Sequence, residues 1–309
     1  MNMDHNRQAE AKAVRRIQSR MGKTTRKWTI YLVFVLPVVL PFLIFFVWPW
    51  LNGIYYSLFK WNGISSTMEY IGLQNYINML KDAKYASTFA FSFKFAIVDV
   101  LGANILGMIF ALLLVKRIKL SNFLRACFFF PNVLATIVVG FMWQFIFTTG
   151  TTSLLELTGW SIFDIGWFSN PNMAFWAVCI VAIWMDTGYV MLIYIAGLLA
   201  VDQSIEEAAM IDGASSWKKF VHITVPMIMP SITVNLFSTI ASAFKLYEIP
   251  ASLTGGGPAG ATTSMAYDIY LDGFGNQMAG YASAKAFVLF LVVALITLAQ
   301  LALTRRKDA

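Results

Sequence analysis

Long apolar stretches dominate this chain of 309 residues. A helix that crosses a bilayer needs about 20 mostly apolar residues. The stretches that meet this requirement are, to within a few residues, 29–58, 88–115, 123–147, 173–199, 224–247 and 284–304. Only 13% of the residues are charged, whereas soluble domains carry about 25%. The sequence therefore predicts an all-α integral membrane protein with six transmembrane helices. The first stretch is too long for a signal peptide, so we expect it to be retained.

Positive charge is concentrated on one predicted side of the membrane. Of the 23 Lys and Arg residues, 17 lie in the first 28 residues, in the loops 116–125 and 200–223, and from residue 305 onward. Cytoplasmic loops carry an excess of such residues, so both termini should be cytoplasmic. We expect a basic tail over 1–28, a transmembrane domain over 29–304 and a short tail over 305–309. Membrane topology accounts for the net charge of +7 without nucleic-acid binding.

Catalytic and metal-binding patterns are sparse. The two cysteines lie in separate apolar stretches, and neither His5 nor His222 has a metal-ligand partner at helical spacing. We therefore predict no disulfide, no metal site and no catalytic residue. An intramembrane enzyme remains as an alternative without a catalytic constellation to support it. A six-helix channel is a second alternative, although no loop resembles a selectivity filter.

The predicted cytoplasmic loop 200–223 has a helical pattern of its own. Ser204 followed by Glu207 forms a capping box in which Ser204 would be the N-cap. Residues 208–211 favour a helix, and Gly213 suits its end. The sequence thus predicts a short helix of roughly two turns along the membrane surface.

The segment Glu207-Ala208-Ala209-x-x-x-Gly213, followed by Ile223, Val225 and Pro226, resembles the EAA signature of ABC importer permeases. Val225 stands where that family usually has leucine. The resemblance implies a type I importer permease (MetI-like) fold, in which this short coupling helix docks on an ATPase. The contact would be made by Glu207, Ala208, Ala209, Met210, Asp212 and Gly213. From the local pattern alone, Glu207 could instead only cap its own helix.

The same resemblance implies partners and a location. Permeases of this family work in the bacterial inner membrane with a second, different permease, an ATPase dimer and an extracytoplasmic solute-binding protein. This chain has no Gly-x-x-x-x-Gly-Lys-[Ser/Thr] motif. We therefore expect no cofactor on this chain and ATP-Mg on the partner ATPase. Transport would proceed by alternating access.

Further motifs narrow the branch of the family. Residues 71–76, 247–258 and 280–284 resemble the motifs of carbohydrate permeases, and the run Gly255-Gly256-Gly257-Pro258 is typical of the first membrane subunit of maltose-type transporters. The resemblance implies import of a sugar, and we favour an oligosaccharide. Glycerol phosphate, a uronate oligomer and a polyamine stay open as other solutes.

The resemblance implies that sugar-contacting positions of the maltose-type subunit fall on Asp186, Tyr189, Thr239, Ser242, Ala243 and Leu246. The predicted solute-binding residues are Asp186, Tyr189, Thr239 and Ser242 from this set, together with Trp184 and Glu248. A carboxylate beside aromatic rings suits a sugar, because the acid accepts hydrogen bonds from hydroxyls and the rings stack on C–H faces. Ala243 and Leu246 stand where the family example has asparagines, which argues against maltose itself.

Charged residues fall in or near the predicted spans at Asp99, Asp186, Lys245, Glu248 and Lys285. A charge at the centre of a bilayer costs about 2.5–3.5 kcal/mol, so each must pair, lie near an interface or face a wet cavity. Lys245 and Glu248 are three residues apart and could pair on a helix. The sequence leaves open whether Lys245 and Lys285 pair or contact an anionic sugar. The role of Asp99 is also left open.

Overall fold

The computed structural model describes residues 31, 33–116 and 120–305. The predictions for the tails 1–28 and 306–309, and for Arg117 and Lys119, lie outside these residues. The chain divides into two units, residues 1–55 and 56–309. The described part of the first unit consists of Tyr31 and of helix α1 (Val33–Tyr56) as far as Tyr55, and this helix contains a π-helical segment at Leu43–Val47.

The second unit is built almost entirely from helices. In chain order they are α2 (Gln74–Lys81), α3 (Ala83–Leu114), α4 (Ser121–Val133), α5 (Thr136–Thr158), α6 (Pro171–Leu199), α7 (Gln203–Ile211), α8 (Ser216–Met227), α9 (Met229–Phe244), α10 (Met265–Tyr270) and α11 (Ala279–Arg305). Short antiparallel strands, β1 (Phe59–Lys60) and β2 (Glu69–Tyr70), precede α2. Within the described residues, five helices are long and apolar enough to cross a bilayer, and the bent pair α8–α9 could form a sixth span. The predicted all-α membrane fold is confirmed.

Helices α3 and α6 form the centre of the second unit. Glycines on α3 bring the two backbones together: a Cβ atom on Gly102 would lie 2.6 Å from Ile183, and one on Gly107 would lie 2.6 Å from Val190. Small residues permit this close approach between membrane helices. The buried core consequently runs along this pair, while many apolar side chains on the outer faces of the bundle stay exposed for contact with lipid.

The third predicted span, 123–147, is wrong in its boundaries. Helix α4 ends at Val133, Leu134 and Ala135 are extended, and the apolar helix α5 runs from Thr136 to Thr158. Pro131 lies in the last turn of α4 and cannot donate a backbone hydrogen bond there. An unbroken apolar run in the sequence does not mark such an interruption.

The fifth predicted span, 224–247, also differs from a single straight helix. Helices α8 and α9 meet at Ile228 with an angle of 72° between them. Helix α9 ends at Phe244, so Lys245 and Glu248 do not lie on one helix, and the pairing that their spacing allowed does not form there. Among the described residues, these two side chains form no ion pair with each other.

Candidate functional site

Helix α7 begins two residues earlier than the predicted capping box requires. The Asp202 carboxylate accepts a hydrogen bond of 2.9 Å from the backbone N–H of Ser204. Asp202 has an extended backbone and is the N-cap, so the assignment of Ser204 as N-cap is wrong. This backbone hydrogen bond lowers the pKa of Asp202. A charged N-cap at this end of the helix also suits the helix dipole.

Glu207 does not cap its helix. Its side chain is exposed and accepts a hydrogen bond of 2.7 Å from Nε2 of Gln203, one turn earlier on α7. Met210 and Ile211 are also exposed, Ile211 to 86%, whereas Ala209 is buried. Helix α7 thus presents a carboxylate and apolar side chains on one accessible surface.

Gly213 ends α7 in a left-handed conformation, with φ of +79°. Its N–H donates to the carbonyl of Met210, and the N–H of Ala214 donates to the carbonyl of Ala209. This pair of bonds is a Schellman motif, in which glycine is favoured because it has no Cβ atom. The space around the Gly213 Cα is open. Ala208, Asp212 and Gly213 are all exposed, so the predicted ATPase-contacting residues other than Ala209 are accessible.

A cavity of about 370 Å³ lies between the central helices of the second unit. Its volume is within the range of about 300–1,000 Å³ that is usual for ligand sites. The polar and charged residues that line it are Asp99, Asn132, Thr136, Asp186, Ser242, Lys245, Tyr247 and Glu248. The structure therefore brings together three of the predicted solute-binding residues, Asp186, Ser242 and Glu248. It adds Asp99, whose role the sequence left open, and Asn132 and Thr136, which the sequence did not single out.

The other predicted solute-binding residues lie outside the lining of this cavity. Trp184 is partly exposed and packs edge-on against Trp143, with ring centroids 5.5 Å apart. Tyr189 is 40% exposed. Thr239 is buried; it donates a hydrogen bond to the carbonyl of Asn235 and accepts one from Asn104. The role of these three residues in solute binding remains a prediction.

Lys285 belongs to a buried ionic cluster. Its Nζ atom lies 2.6 Å from an oxygen of Asp268, 2.6 Å from an oxygen of Asp272 and 3.8 Å from an oxygen of Asp82. Lys84 contributes a second ammonium group, 2.6 Å from the other oxygen of Asp268. The open question of whether Lys285 pairs or contacts solute is thus decided in favour of pairing. The sequence missed the two partner aspartates because they lie 13 and 17 residues before Lys285 in a predicted loop.

The family of this chain follows from comparison with known proteins. A model described as the inner membrane component of binding-protein-dependent transport systems matches residues 103–309, more than half of the chain. This chain belongs to that family. It is therefore an inner-membrane transport subunit, and the enzyme alternative is excluded. The transport-subunit interpretation of the sequence is confirmed.

Relatives in this family include sugar permeases. The chain is 36% identical, over 90% of its length and 94% of the relative, to a probable permease for starch degradation products, AmyD of Thermoanaerobacterium thermosulfurigenes. It is 32% identical to the trehalose/maltose permease MalF of Thermococcus litoralis, over 89% of this chain and 93% of the relative. The fold is similar to a chain of a bacterial alginate ABC transporter solved with a pentasaccharide-bound periplasmic protein. That match has a TM-score of 0.78, with 19% identity over 93% of this chain and 97% of the other.

Proposed function

We propose that this chain is a permease subunit of an ATP-driven importer for a saccharide, with an oligosaccharide as the favoured solute. The observation that carries the proposal is the function of two relatives that match nearly the whole chain. One is a probable permease for starch degradation products and the other is a trehalose/maltose permease. The presence of Asp186, Ser242 and Glu248 in one cavity supports it, because all three can accept hydrogen bonds from sugar hydroxyls.

The transport cycle that we propose is alternating access. An extracytoplasmic binding protein delivers the sugar, and a second, different permease completes the pathway. The cavity lined by residues of α3, α6 and α9 opens first to the outside and then to the cytoplasm. A cavity between helices that move as rigid bodies can change its open side while keeping its binding groups in place.

The motion is driven, in this proposal, through α7. An ATPase dimer that holds ATP-Mg contacts the exposed surface of α7, while this chain binds no nucleotide. Glu207 supports this role because it is exposed, and the one hydrogen bond from Gln203 leaves its carboxylate able to accept further bonds from basic groups of a partner. The exposed Met210 and Ile211 would be buried by such a contact. The termini would then be cytoplasmic, as the positive charges of the sequence predict.

A polyamine importer is a second candidate function. The observation that favours it is the excess of acidic groups in the cavity, where Asp99, Asp186 and Glu248 face a single ammonium group on Lys245. A polycation would neutralise these carboxylates. The functions of the two relatives favour a saccharide over a polyamine.

The experiment that separates the two is calorimetry on the cognate binding protein with maltotriose, trehalose, glycerol 3-phosphate and spermidine. It is followed by uptake of each ligand into cells that express the complete transporter. We expect a saccharide to bind and to be taken up. Binding and uptake of spermidine or glycerol 3-phosphate alone would contradict the saccharide proposal.

A further inference from the structure

Asp99 is a buried carboxylate without a partner in the part of the chain that the structure describes. It lies on α3, is 1% exposed and lines the 370 Å³ cavity. Its Oδ1 atom has no hydrogen-bond partner. Neither Asp99 nor Asp186 has a basic group of the described residues within ion-pair distance. Burying a carboxylate in this way is unfavourable, so a group that enters the cavity is expected to bond to it.

The position of Asp99 is fixed by rigid elements. Gly102 and Gly107, on the same helix, bring α3 into close contact with α6, which carries Asp186. Binding groups on tightly packed helices keep their geometry better than groups on loops. The two carboxylates therefore form a preorganised pair in the lining of one cavity.

The chemistry of the lining favours hydrogen-bond donors and disfavours anions. Asp99, Asp186 and Glu248 are acceptors when ionised, and Lys245 is the cation among the residues that line the cavity. A uronate or a phosphate ester would bring a further negative charge next to these carboxylates. Such like-charge contacts are how a binding site rejects a competing ligand. Hydroxyl groups of a neutral sugar donate to carboxylates without this repulsion.

We propose that Asp99 is a second solute-contacting carboxylate, which acts with Asp186 to bind hydroxyl groups and to reject acidic saccharides. This inference rests on the proposed function, since it concerns the solute of the same cavity. It adds a residue that the sequence left unassigned, and it chooses between the neutral and uronate solutes that the sequence left open.

The first test is uptake of radiolabelled maltotriose by the complete transporter at saturating binding protein. Asp99→Asn keeps the shape of the side chain and removes its charge. Uptake by Asp99→Asn should be about tenfold or more lower than that of the unaltered transporter, because the variant loses a hydrogen bond between the sugar and a charged group. Thr88→Val is the matched control, because Thr88 is equally buried on α3 and its hydroxyl, among the described residues, bonds only to the carbonyl of Tyr85. The amount of assembled complex in the membrane is measured for each variant.

The second test measures selectivity without the binding protein. Maltotriose and trigalacturonate are titrated into the purified transporter, and we expect only maltotriose to bind to the unaltered complex. In the double variant Asp99→Asn/Asp186→Asn, the preference for maltotriose should fall by about tenfold or more.

The outcomes separate this inference from the proposed function. Uptake by Asp99→Asn equal to that by Thr88→Val, or equal binding of both trisaccharides to the unaltered complex, would overturn the role of Asp99 and leave the sugar importer intact. If the unaltered transporter takes up no saccharide, the proposed function fails, and the inference fails with it.

Discussion

The Nζ atom of Lys285 lies 2.6 Å from an oxygen of Asp268, and both side chains are shielded from solvent. Lys285 is on α11, whereas Asp268 is on α10, so the pair joins the last helix to the segment before it. Asp272 and Lys84 extend the pair into a network that also reaches α3. A buried ion pair is costly to break because the remaining partner stays charged in a poorly solvating place.

Replacing Lys285 should destabilise the subunit strongly. Lys285→Met removes the buried cation that Asp268 and Asp272 share and leaves them Lys84, whose side chain is half exposed. Removing one partner of a buried ion pair costs about 3–5 kcal/mol, and Lys84 should keep the loss towards the lower end. Thermal unfolding of the purified subunit in detergent measures the effect. Lys245→Met is the control, since Lys245 is exposed and forms no ion pair with the described residues. Equal melting temperatures for the two variants would show that the buried cluster contributes nothing to stability.

The ionic cluster should make the fold sensitive to acid. Burial of Asp82 acts to raise its pKa, but hydrogen bonds from Tyr281 and from the Lys84 backbone, together with the charge of Lys285, lower it below the ordinary value of 3.8. Because the pKa of Asp82 is lower in the folded than in the unfolded protein, the ionised side chain stabilises the fold. This stabilisation is complete above the unfolded-state pKa and is lost as the pH falls through the folded-state pKa. Unfolding should therefore become easier below pH of about 4. Asp82→Asn should flatten this dependence, and an unchanged acid profile would contradict the assignment.

The charge of Glu207 should be needed for coupling and not for folding. Glu207→Lys places a like charge against the basic groups expected on an ATPase, so uptake should be lost while the subunit still inserts. The control is Gln203→Ala, which removes the hydrogen bond to Glu207 and keeps its charge. It should transport normally. Uptake and membrane insertion are measured together, and a transport-competent Glu207→Lys variant would contradict the docking role.

Gly188 should be intolerant of any side chain. A Cβ atom there would clash with the backbone carbonyl of Phe128, so Gly188→Ala must force α4 and α6 apart. Overpacking of this kind costs about 1–3 kcal/mol. Gly150→Ala is the matched control because the nearest atom to its Cβ position is 3.8 Å away. Thermal unfolding compares the two, and equal stability would show that α4 and α6 can separate without cost.

The apolar runs predicted the number of spans well because burial in lipid requires long apolar helices. They could not predict where the backbone leaves helical geometry inside a run. The break at Leu134 and the 72° bend at Ile228 both occur within apolar sequence. Prolines near both places remove backbone donors, but a proline alone does not say whether a helix bends, ends or continues. Helix α1 contains three prolines and continues past Pro41 and Pro49.

The sequence predicted only part of the candidate site, and the reason is related. Asp186 and Ser242 were identifiable from a resemblance and from their chemistry, and both line the cavity. Asp99 and Thr136 lie in other helices, so only the packing of the helices brings them into the lining of the same cavity. Whether Lys285 forms ion pairs likewise depended on Asp268 and Asp272. A loop sequence does not indicate where such residues lie in space.

The measurement that tests the account most directly is uptake of labelled maltotriose into proteoliposomes that contain the complete transporter, with its loaded binding protein outside. We predict accumulation above the external concentration when ATP is inside, no accumulation with a non-hydrolysable analogue, and loss of ATP-driven uptake with Glu207→Lys. Equilibration of the sugar without ATP, or accumulation that is unaffected by Glu207→Lys, would contradict an importer driven through α7.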